Sequence, residues 1–203
     1  DPVTLSIPTT KHRSTGALLI THWGMSGPAT LKLSSYAARY INEQHYCFNV
    51  AVNWLNETNA ETVRERLLTL ATTHPKKQLN SIRPDNLSAR VWQYLLQKAS
   101  LDSGKPWAEL GRKGLHKLVE TLTNDIYLIT GKGVFRDEFV TCGGVGLDCI
   151  HLQTLESKVC PNLFFAGEVL DIDAVTGGFN LQAAWTTGFV AGNAYHSATP
   201  ADK

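Results

Sequence analysis

One segment near the C-terminus combines residue types that can bind an organic ligand. An apolar stretch ends at Gly167, the carboxylate of Glu168 follows at once, and Gly177 and Gly178 open a predicted helix. Glycine lets a ligand approach the backbone closely, and a carboxylate at a strand end can accept hydrogen bonds from ribose or ribityl hydroxyls. The free N–H groups at a helix start present partial positive charge. The pattern predicts a site for an electron-rich ligand, although a plain tight turn would explain the same glycines.

A second glycine pair, Gly143 and Gly144, follows a predicted strand at 138–141. It can bring the backbone against a ligand, but no helix or downstream acid completes a dinucleotide-binding fingerprint, and the chain has no GxGxxG. Cys142 precedes the pair without a basic neighbour, which favours a buried structural thiol over a redox thiol. The four cysteines lack CxxC spacing and the histidines lack HExxH, so we expect reduced, mostly buried thiols and no metal site.

Acid–base candidates are few. His22, just before a predicted helix at Pro28, could act as an acid, a base or a substrate ligand. Ser26 or Gly27 is expected to cap that helix, and a capping role explains Ser26 without any function. Asp171 and Asp173 alternate, so in an extended segment they would point to opposite sides. No spacing demands a catalytic triad or a pair of carboxylates, and the catalytic residues stay unassigned.

The elements that must position these residues alternate between strands and helices. Hydrophobic periodicity predicts strands at 3–7, 16–20, 47–52, 126–129, 138–141 and 162–166, and helices after Pro28, at 59–70, 85–100 and 115–122, and from 179 to 194. We therefore predict an α/β protein, or α+β for this length of chain. The order of these elements predicts that residues 57–125 are a helical insertion inside a β or α/β framework, which residues 1–56 and 126–203 form.

Composition excludes several classes of protein. The 203 residues are 43% hydrophobic and 18% charged, which is typical of a globular protein and not of a disordered, coiled-coil or collagen-like chain. No apolar run reaches membrane-spanning length and no targeting signal is visible, so we expect a cytoplasmic protein without a membrane partner. Residues 1–125 carry 15 Lys and Arg against 10 Asp and Glu, but no run of like charge exceeds Lys76-Lys77. A nucleic-acid partner is therefore not expected.

Three segments together resemble a known family. They are Thr21-His-Trp-Gly-Met-Ser-Gly-Pro28, Phe139-Val-Thr-Cys-Gly-Gly-Val145 with Thr154–Lys158, and Leu163–Asp173 continued by Thr176-Gly-Gly-Phe-Asn-Leu-Gln182. These segments are similar to the predicted NAD(P)/FAD-dependent oxidoreductases, the aminoacetone-oxidase family of FAD-binding flavoproteins. The resemblance covers residues 16 to 196 and corresponds to the C-terminal part of that family only. The resemblance implies that residues 1–56 are part of a β-barrel-like middle domain, that 57–125 are its helical insertion, and that 126–203 are the return strand and C-terminal part of a Rossmann-like FAD-binding domain. The glycine-rich first βαβ unit of that domain has no counterpart here.

The resemblance implies FAD as cofactor, NAD(P)H as a possible co-substrate, and hydride transfer to or from a small organic molecule. It also implies a partner, the N-terminal FAD-binding segment of the same protein, and it leaves self-association open. The residues that would contact FAD are Gly143, Gly144, Gly167, Glu168, Thr176, Gly177, Gly178, Asn180, Leu181 and Gln182. The chain departs from the family pattern at Ala174, where glycine is expected, and at Met25, where leucine is usual.

Two other functions remain open from the sequence. In the first, the protein is a non-catalytic assembly module, with Trp92, Tyr94 and Trp107 of the helical insertion as anchors for a partner. In the second, it is a flavoprotein that modifies RNA, which the positive balance of residues 1–125 permits. Flavin absorbance would separate the enzyme from the module, and salt-sensitive RNA binding would identify the RNA enzyme.

Overall fold

The computed structural model describes residues 2–133 and 140–198, except for the side chains of residues 197 and 198. It contains both helices and strands, as predicted. The chain divides into two compact units, Asp1–Leu33 with Glu43–Lys132, and Ser34–Asn42 with Gly133–Lys203. Within the described residues, no helix is long and apolar enough to cross a membrane.

The first unit is built on a four-stranded antiparallel sheet. Its strands are β1 (Pro2–Ser6), β2 (Arg13–Ala17), β5 (Phe48–Asn53) and β6 (Asp125–Ile129), in the order β2-β1-β5-β6. Two short strands, β3 (Leu19–Ile20) and β4 (Met25–Ser26), form a separate hairpin. The predicted strand at 16–20 is therefore two strands, because the chain leaves the sheet after Ala17 and turns back at residues 21–24. There the Thr21 N–H donates to the Gly24 carbonyl at 2.9 Å.

Three amphipathic helices complete the first unit. They are α3 (Ala60–Thr73), α4 (Ala89–Lys98) and α5 (Gly111–Thr123), and each of the three predicted helices is confirmed. Asn59 and Ser88 cap α3 and α4 with their side-chain oxygens, as their residue types favour. The helices bury Leu67, Leu95 and Leu118, and the core also contains the sheet residues Val3, Leu5, Val50 and Val52.

Trp92 and Trp107 belong to this core. They are 0% and 1% exposed, and their rings stack with centroids 6.2 Å apart. The module hypothesis requires both side chains to be exposed as anchors for a partner, so their burial contradicts it for these two residues. Only Tyr94 of that trio is exposed, and its hydroxyl lies 3.1 Å from the Tyr127 hydroxyl.

Two helices follow β4. The helix α1 (Pro28–Tyr36) begins at the predicted proline, and α2 (Ala38–Glu43) continues it after a one-residue break. The first helical hydrogen bond runs from the Leu31 N–H to the Gly27 carbonyl, so Gly27 is the N-cap and not Ser26. The division between the units falls within α1.

The second unit has little sheet. It contains α2, the two-residue strands β7 (Ile150–His151) and β8 (Glu156–Ser157), and the 20-residue helix α6 (Phe179–Ala198). Its core joins Ile150, Leu155 and Leu170 to Ala191 of α6. The predicted helix at 179–194 is confirmed.

Two strand predictions in this unit are wrong or only partly testable. The apolar segment 162–166 forms no strand. It makes a single bridge between Phe164 and Glu156, and the aromatic side chains Phe164 and Phe165 pack against the core from irregular backbone. Of the predicted strand at 138–141, residues 138 and 139 lie outside the described part, and Val140 and Thr141 are not in a strand.

Candidate ligand site

The glycine-rich segment that opens at Gly167 lies against the last helix. Gly167–Val169 form a single 3-10 turn that packs against α6. Gly167 has φ +78°, in the left-handed region, and its N–H donates to the Thr187 hydroxyl of α6 at 2.9 Å. Glycine is required here because a side chain strains this backbone conformation. The turn is thus fixed to the helix by a backbone hydrogen bond.

The two glycine segments that the sequence singled out are adjacent. The Glu168 carboxylate accepts the Thr141 N–H at 3.0 Å, and Val145 forms a parallel bridge with Leu170. A Cβ atom on Gly144 would lie 2.6 Å from the Val169 carbonyl oxygen, so this glycine is needed for contact with the chain's own backbone. Around Gly143, φ +106°, a Cβ would meet nothing within 4 Å.

A side-chain amide closes the loop before α6. Asn180 accepts the Ala174 N–H and donates to the Ala174 carbonyl, both at 2.9 Å. Gly177 and Gly178 lie within this closed loop with φ +129° and +89°, and both are exposed. Because α6 has no acidic residue in its first turn, the partial positive charge of its N-terminus is not neutralised there.

The other residues predicted to contact the ligand in this segment do not point toward one common site. Thr176 and Leu181 are exposed, Leu181 to 65%, and the Gln182 amide donates along the helix to the Thr186 hydroxyl at 3.1 Å. Among the described residues of the second unit, these positions therefore form an open surface of loop backbone.

A charged cluster that sequence reasoning missed lies beside this loop. The Arg39 guanidinium of α2 forms two hydrogen bonds with the Asp171 carboxylate, at 2.9 and 3.2 Å, and also bonds the Cys142 thiol. The bonds with Cys142 and Asp171 raise the pKa of Arg39. Arg39 is 132 residues from Asp171, in a helix predicted for its apolar face alone, so no local spacing reveals the pair.

The Cys142 thiol is held protonated by its surroundings. Its hydrogen bond with Asp173, followed by partial desolvation, raises the pKa of Cys142, while Arg39 acts in the opposite direction. All four cysteines are free and exposed, so the prediction of mostly buried thiols is wrong. Cys47, Cys142 and Cys160 lie in irregular segments, and Cys149 ends a 3-10 helix at Leu147–Cys149.

The side chains of Asp171 and Asp173 belong to the same charged cluster and do not point to opposite sides of the segment. Asp171 bonds Arg39, and Asp173 bonds Cys142, which itself bonds Arg39. The Ile172 N–H donates to the Leu170 carbonyl at 2.7 Å, which makes a tight turn and breaks the extended alternation that the prediction assumed.

His22 belongs to the first unit and has no part in this loop. It is exposed in the turn between β3 and β4. In the described residues, no group of three or more His, Cys, Asp or Glu side chains has an arrangement that could hold a metal ion.

Comparisons with known proteins place the chain in a family. Residues 1–140 match the model of the HI0933-like protein barrel and H2TH domain. The chain is 31% identical over 184 residues to the 3-dehydro-bile acid delta(4,6)-reductase of Clostridium scindens, which covers 89% of this chain and 44% of the relative.

Two further relatives share one name, ribosomal RNA dihydrouridine synthase. The Escherichia coli protein is 32% identical over 84% of this chain, and the Haemophilus influenzae protein is 28% identical over 85%. The chain spans 40% of the length of each, and so less than half of every relative named here. The chain belongs to the HI0933-like family, and its residues 1–140 correspond to that family's barrel and H2TH domain.

Proposed function

We propose that this chain is part of an FAD-dependent oxidoreductase that reduces a carbon–carbon double bond conjugated to a carbonyl group. The observation that carries the proposal is the loop closed by Asn180, which presents Gly177 and Gly178 at the N-terminus of a 20-residue helix. Such a loop offers backbone N–H groups and no side-chain obstruction, which suits a flat, electron-rich ring system.

The residues of the second unit fit the flavin end of FAD. Around Gly178 a Cβ would meet nothing within 4 Å, so the loop leaves room for a close ligand. The exposed N–H groups at the start of α6 can stabilise negative charge on a ring oxygen or nitrogen. Bound FAD would supply hydride chemistry at this surface, and the protein would orient it and tune its charge.

Glu168 and Arg39 have supporting roles in this proposal. One oxygen of Glu168 accepts the Thr141 N–H and fixes the Gly143 segment beside the 3-10 turn, while the carboxylate remains at the edge of the site for ligand hydroxyls. Arg39 holds Asp171 in two hydrogen bonds and so fixes the start of the loop.

The double bond as substrate is suggested by the names of the relatives. One name describes a reductase of a delta(4,6) bile acid that carries a 3-oxo group, and the other describes the formation of dihydrouridine. Both reactions add two hydrogens across a C=C bond in conjugation with a carbonyl. We extend this reaction class to the present chain, with NAD(P)H as the source of the hydride.

A complete FAD site requires more protein than this chain. The relatives are more than twice as long as the region matched here. Helix α6 exposes Trp185 to 74% and Phe189 to 73%, and it contains no Asp, Glu, Lys or Arg. We propose that the pyrophosphate and adenosine contacts come from an N-terminal FAD-binding segment, and that part of the exposed α6 face packs against it.

The test is an absorbance scan after incubation with FAD and desalting. It uses this chain and a chimera that adds the portion of the E. coli relative that this chain does not match. Bands near about 375 and 450 nm that survive desalting of the chimera would support the proposal. The variant Gly178→Val should abolish them, while the control Gly104→Ala, in a loop of the first unit, should retain them. A chimera that folds but stays colourless would overturn the proposal.

A further inference from the structure

Positive charge is concentrated in one part of the first unit. Between Lys76 and Lys117 the chain has nine Lys and Arg residues and three Asp and Glu residues. Six of these cations form what we call the basic surface, and all six are exposed: Lys76, Lys77, Lys105, Arg112, Lys113 and Lys117.

Backbone pairing brings the two lysine-bearing loops together. The Trp107 N–H donates to the Lys77 carbonyl and the Leu79 N–H donates to the Lys105 carbonyl, each at 2.9 Å. Gln78 and Pro106 form an antiparallel bridge between the same two segments. The lysines at 76 and 77 therefore lie beside the segment that holds Lys105, although 28 or more positions separate them in sequence.

The same segment leads directly into α5. A 3-10 turn at Trp107–Glu109 is followed by the helix at Gly111. Arg112 lies seven positions after Lys105 in the sequence, and seven residues span at most about 25 Å even when fully extended. A polyanion of several nucleotides is long enough to contact the cations of both the loops and α5.

The positive charges at the start of α5 destabilise this helix. The first turn holds Arg112 and Lys113 and no acidic residue. Cations at a helix N-terminus repel the positive end of the helix dipole, so this placement costs stability unless an anion is bound. Leu115 and Leu118 are buried, which directs the exposed cations to the opposite side of the helix.

The six cations are also not neutralised by carboxylates of the protein. Within residues 2–133 and 140–198, no side chain of the basic surface forms an ion pair with Asp or Glu. The nearest acids in sequence are Asp102, Glu109 and Glu120, each three positions from one of the cations. Asp102 accepts the Gly104 N–H and Glu120 accepts a bond from the Asn124 side chain. Charge complementarity therefore favours a ligand with several regularly spaced negative charges, which is the character of a nucleic-acid backbone.

We propose that the basic surface binds the phosphate backbone of an RNA substrate. This inference rests on the proposed function, since it names RNA as the molecule that carries the double bond to be reduced. Two relatives named as ribosomal RNA dihydrouridine synthases agree with that choice. The surface positions the RNA by its phosphates and does not read its sequence.

The test measures binding of a fluorescein-labelled 24-nucleotide RNA hairpin to the 203-residue chain by fluorescence anisotropy between 50 and 200 mM KCl. Variant A replaces Arg112, Lys113 and Lys117 by Gln, and variant B does the same at Lys76, Lys77 and Lys105. Each should weaken binding about tenfold or more and reduce the slope of log K against log salt by about 2 to 3. The two variants alter separate segments, so a folding defect in one leaves the other informative.

A control variant removes the same charge elsewhere. It replaces Lys11, Arg13 and Arg66, which are exposed in the first unit, by Gln. Its RNA binding should stay within about threefold of the unaltered chain, since all six cations of the basic surface remain in this variant. Equal losses in the control and in variants A and B would overturn the proposal.

Two other outcomes would also overturn it. One is the absence of RNA binding at 50 mM KCl, and the other is binding to vesicles with 30% phosphatidylserine but not to RNA. The anisotropy measurement needs no flavin, so it is independent of the absorbance scan. RNA binding with a colourless chimera would refute the flavin proposal alone, and a yellow chimera without RNA binding would refute the basic surface alone.

Discussion

The Asp173 carboxylate interacts with the Cys142 thiol, and this interaction is the largest cause of the raised pKa of the thiol. An anion beside a thiol disfavours the thiolate, which is the reactive form. Arg39 on the other side of the thiol acts oppositely. The reactivity of Cys142 is therefore set by two charged neighbours of opposite sign.

Replacing Asp173→Asn should lower the pKa of Cys142, because the negative charge that opposes ionisation is removed. The measurement is the rate of alkylation by iodoacetamide from pH 6 to 10, in a background where the other three cysteines are serine. The rate at neutral pH should rise and its midpoint should move to lower pH. Arg39→Gln should move the midpoint the other way.

Asp148→Asn is the matched control for this experiment, since Asp148 accepts a bond from a different thiol, Cys149, at 3.6 Å. It should leave the Cys142 profile unchanged. A midpoint that rises in Asp173→Asn would contradict the assignment of the carboxylate as the dominant neighbour.

Gly144→Ala should destabilise the second unit. The new methyl group would lie 2.6 Å from the carbonyl carbon of Leu170, which is backbone and cannot move without loss of the Val145–Leu170 bridge. We expect a loss of about 1–3 kcal/mol in the free energy of unfolding, measured by urea denaturation. The control is Gly188→Ala on α6, where nothing lies within 4 Å, and it should stabilise by about 0.5–1 kcal/mol. Equal effects of the two substitutions would show that the close approach at Gly144 is absent.

Asn180→Ala should open the loop before α6. It removes both hydrogen bonds with Ala174, and a lost bond of this kind costs about 1 kcal/mol. Amide hydrogen exchange at Ala174 should accelerate, and flavin retention by the chimera should fall. Asn180→Asp keeps an acceptor for the Ala174 N–H and should protect that amide better than Asn180→Ala. An amide that exchanges equally fast in the unaltered chain would refute the closed loop.

Tyr127 should make stability depend on alkaline pH. Burial raises the pKa of the Tyr127 phenol, and hydrogen bonds with Asp125 and Tyr94 raise it further. Because the folded-state pKa lies above the unfolded-state value of about 10, this stabilisation is complete below about pH 10 and is lost as pH rises through the folded-state pKa.

The free energy of unfolding of the unaltered chain should therefore fall more steeply above about pH 10 than that of Tyr127→Phe. Urea denaturation at several pH values measures it. Tyr36→Phe, at a position 53% exposed, is the control and should follow the unaltered chain. Parallel curves for Tyr127→Phe and the unaltered chain would contradict the buried phenol.

Local sequence was sufficient for elements whose signals are contained within a few residues. Asn59 precedes apolar residues at helical spacing and caps its helix as predicted. The next helix was predicted from Asp85, and it begins three to four residues later, where Ser88 provides the cap. Pro28 begins a helix because its fixed φ suits the first turn. The apolar residues at 47–52 and 126–129 also identified β5 and β6. β5 buries Val50, Ala51 and Val52, whereas Ile126 and Leu128 of β6 are exposed.

Local sequence failed where other parts of the chain decide the backbone. The aromatic residues at 164 and 165 predicted a strand, but no neighbouring strand pairs with them beyond one bridge, and they pack from irregular backbone. A strand needs a partner for its N–H and C=O groups, and apolar character does not supply one.

The amino-acid sequence by itself determined the helices, most of the sheet and the glycine segments at 143–144 and 167–178, because propensity, capping and positive φ act over a few residues. Only the tertiary structure brought Arg39 to Asp171 and placed Lys77 beside the segment of Lys105. The basic surface is not visible as a run of like charges, because its six cations lie in separate segments of the sequence. Electrostatic interaction depends on distance in space, and folding alone sets that distance.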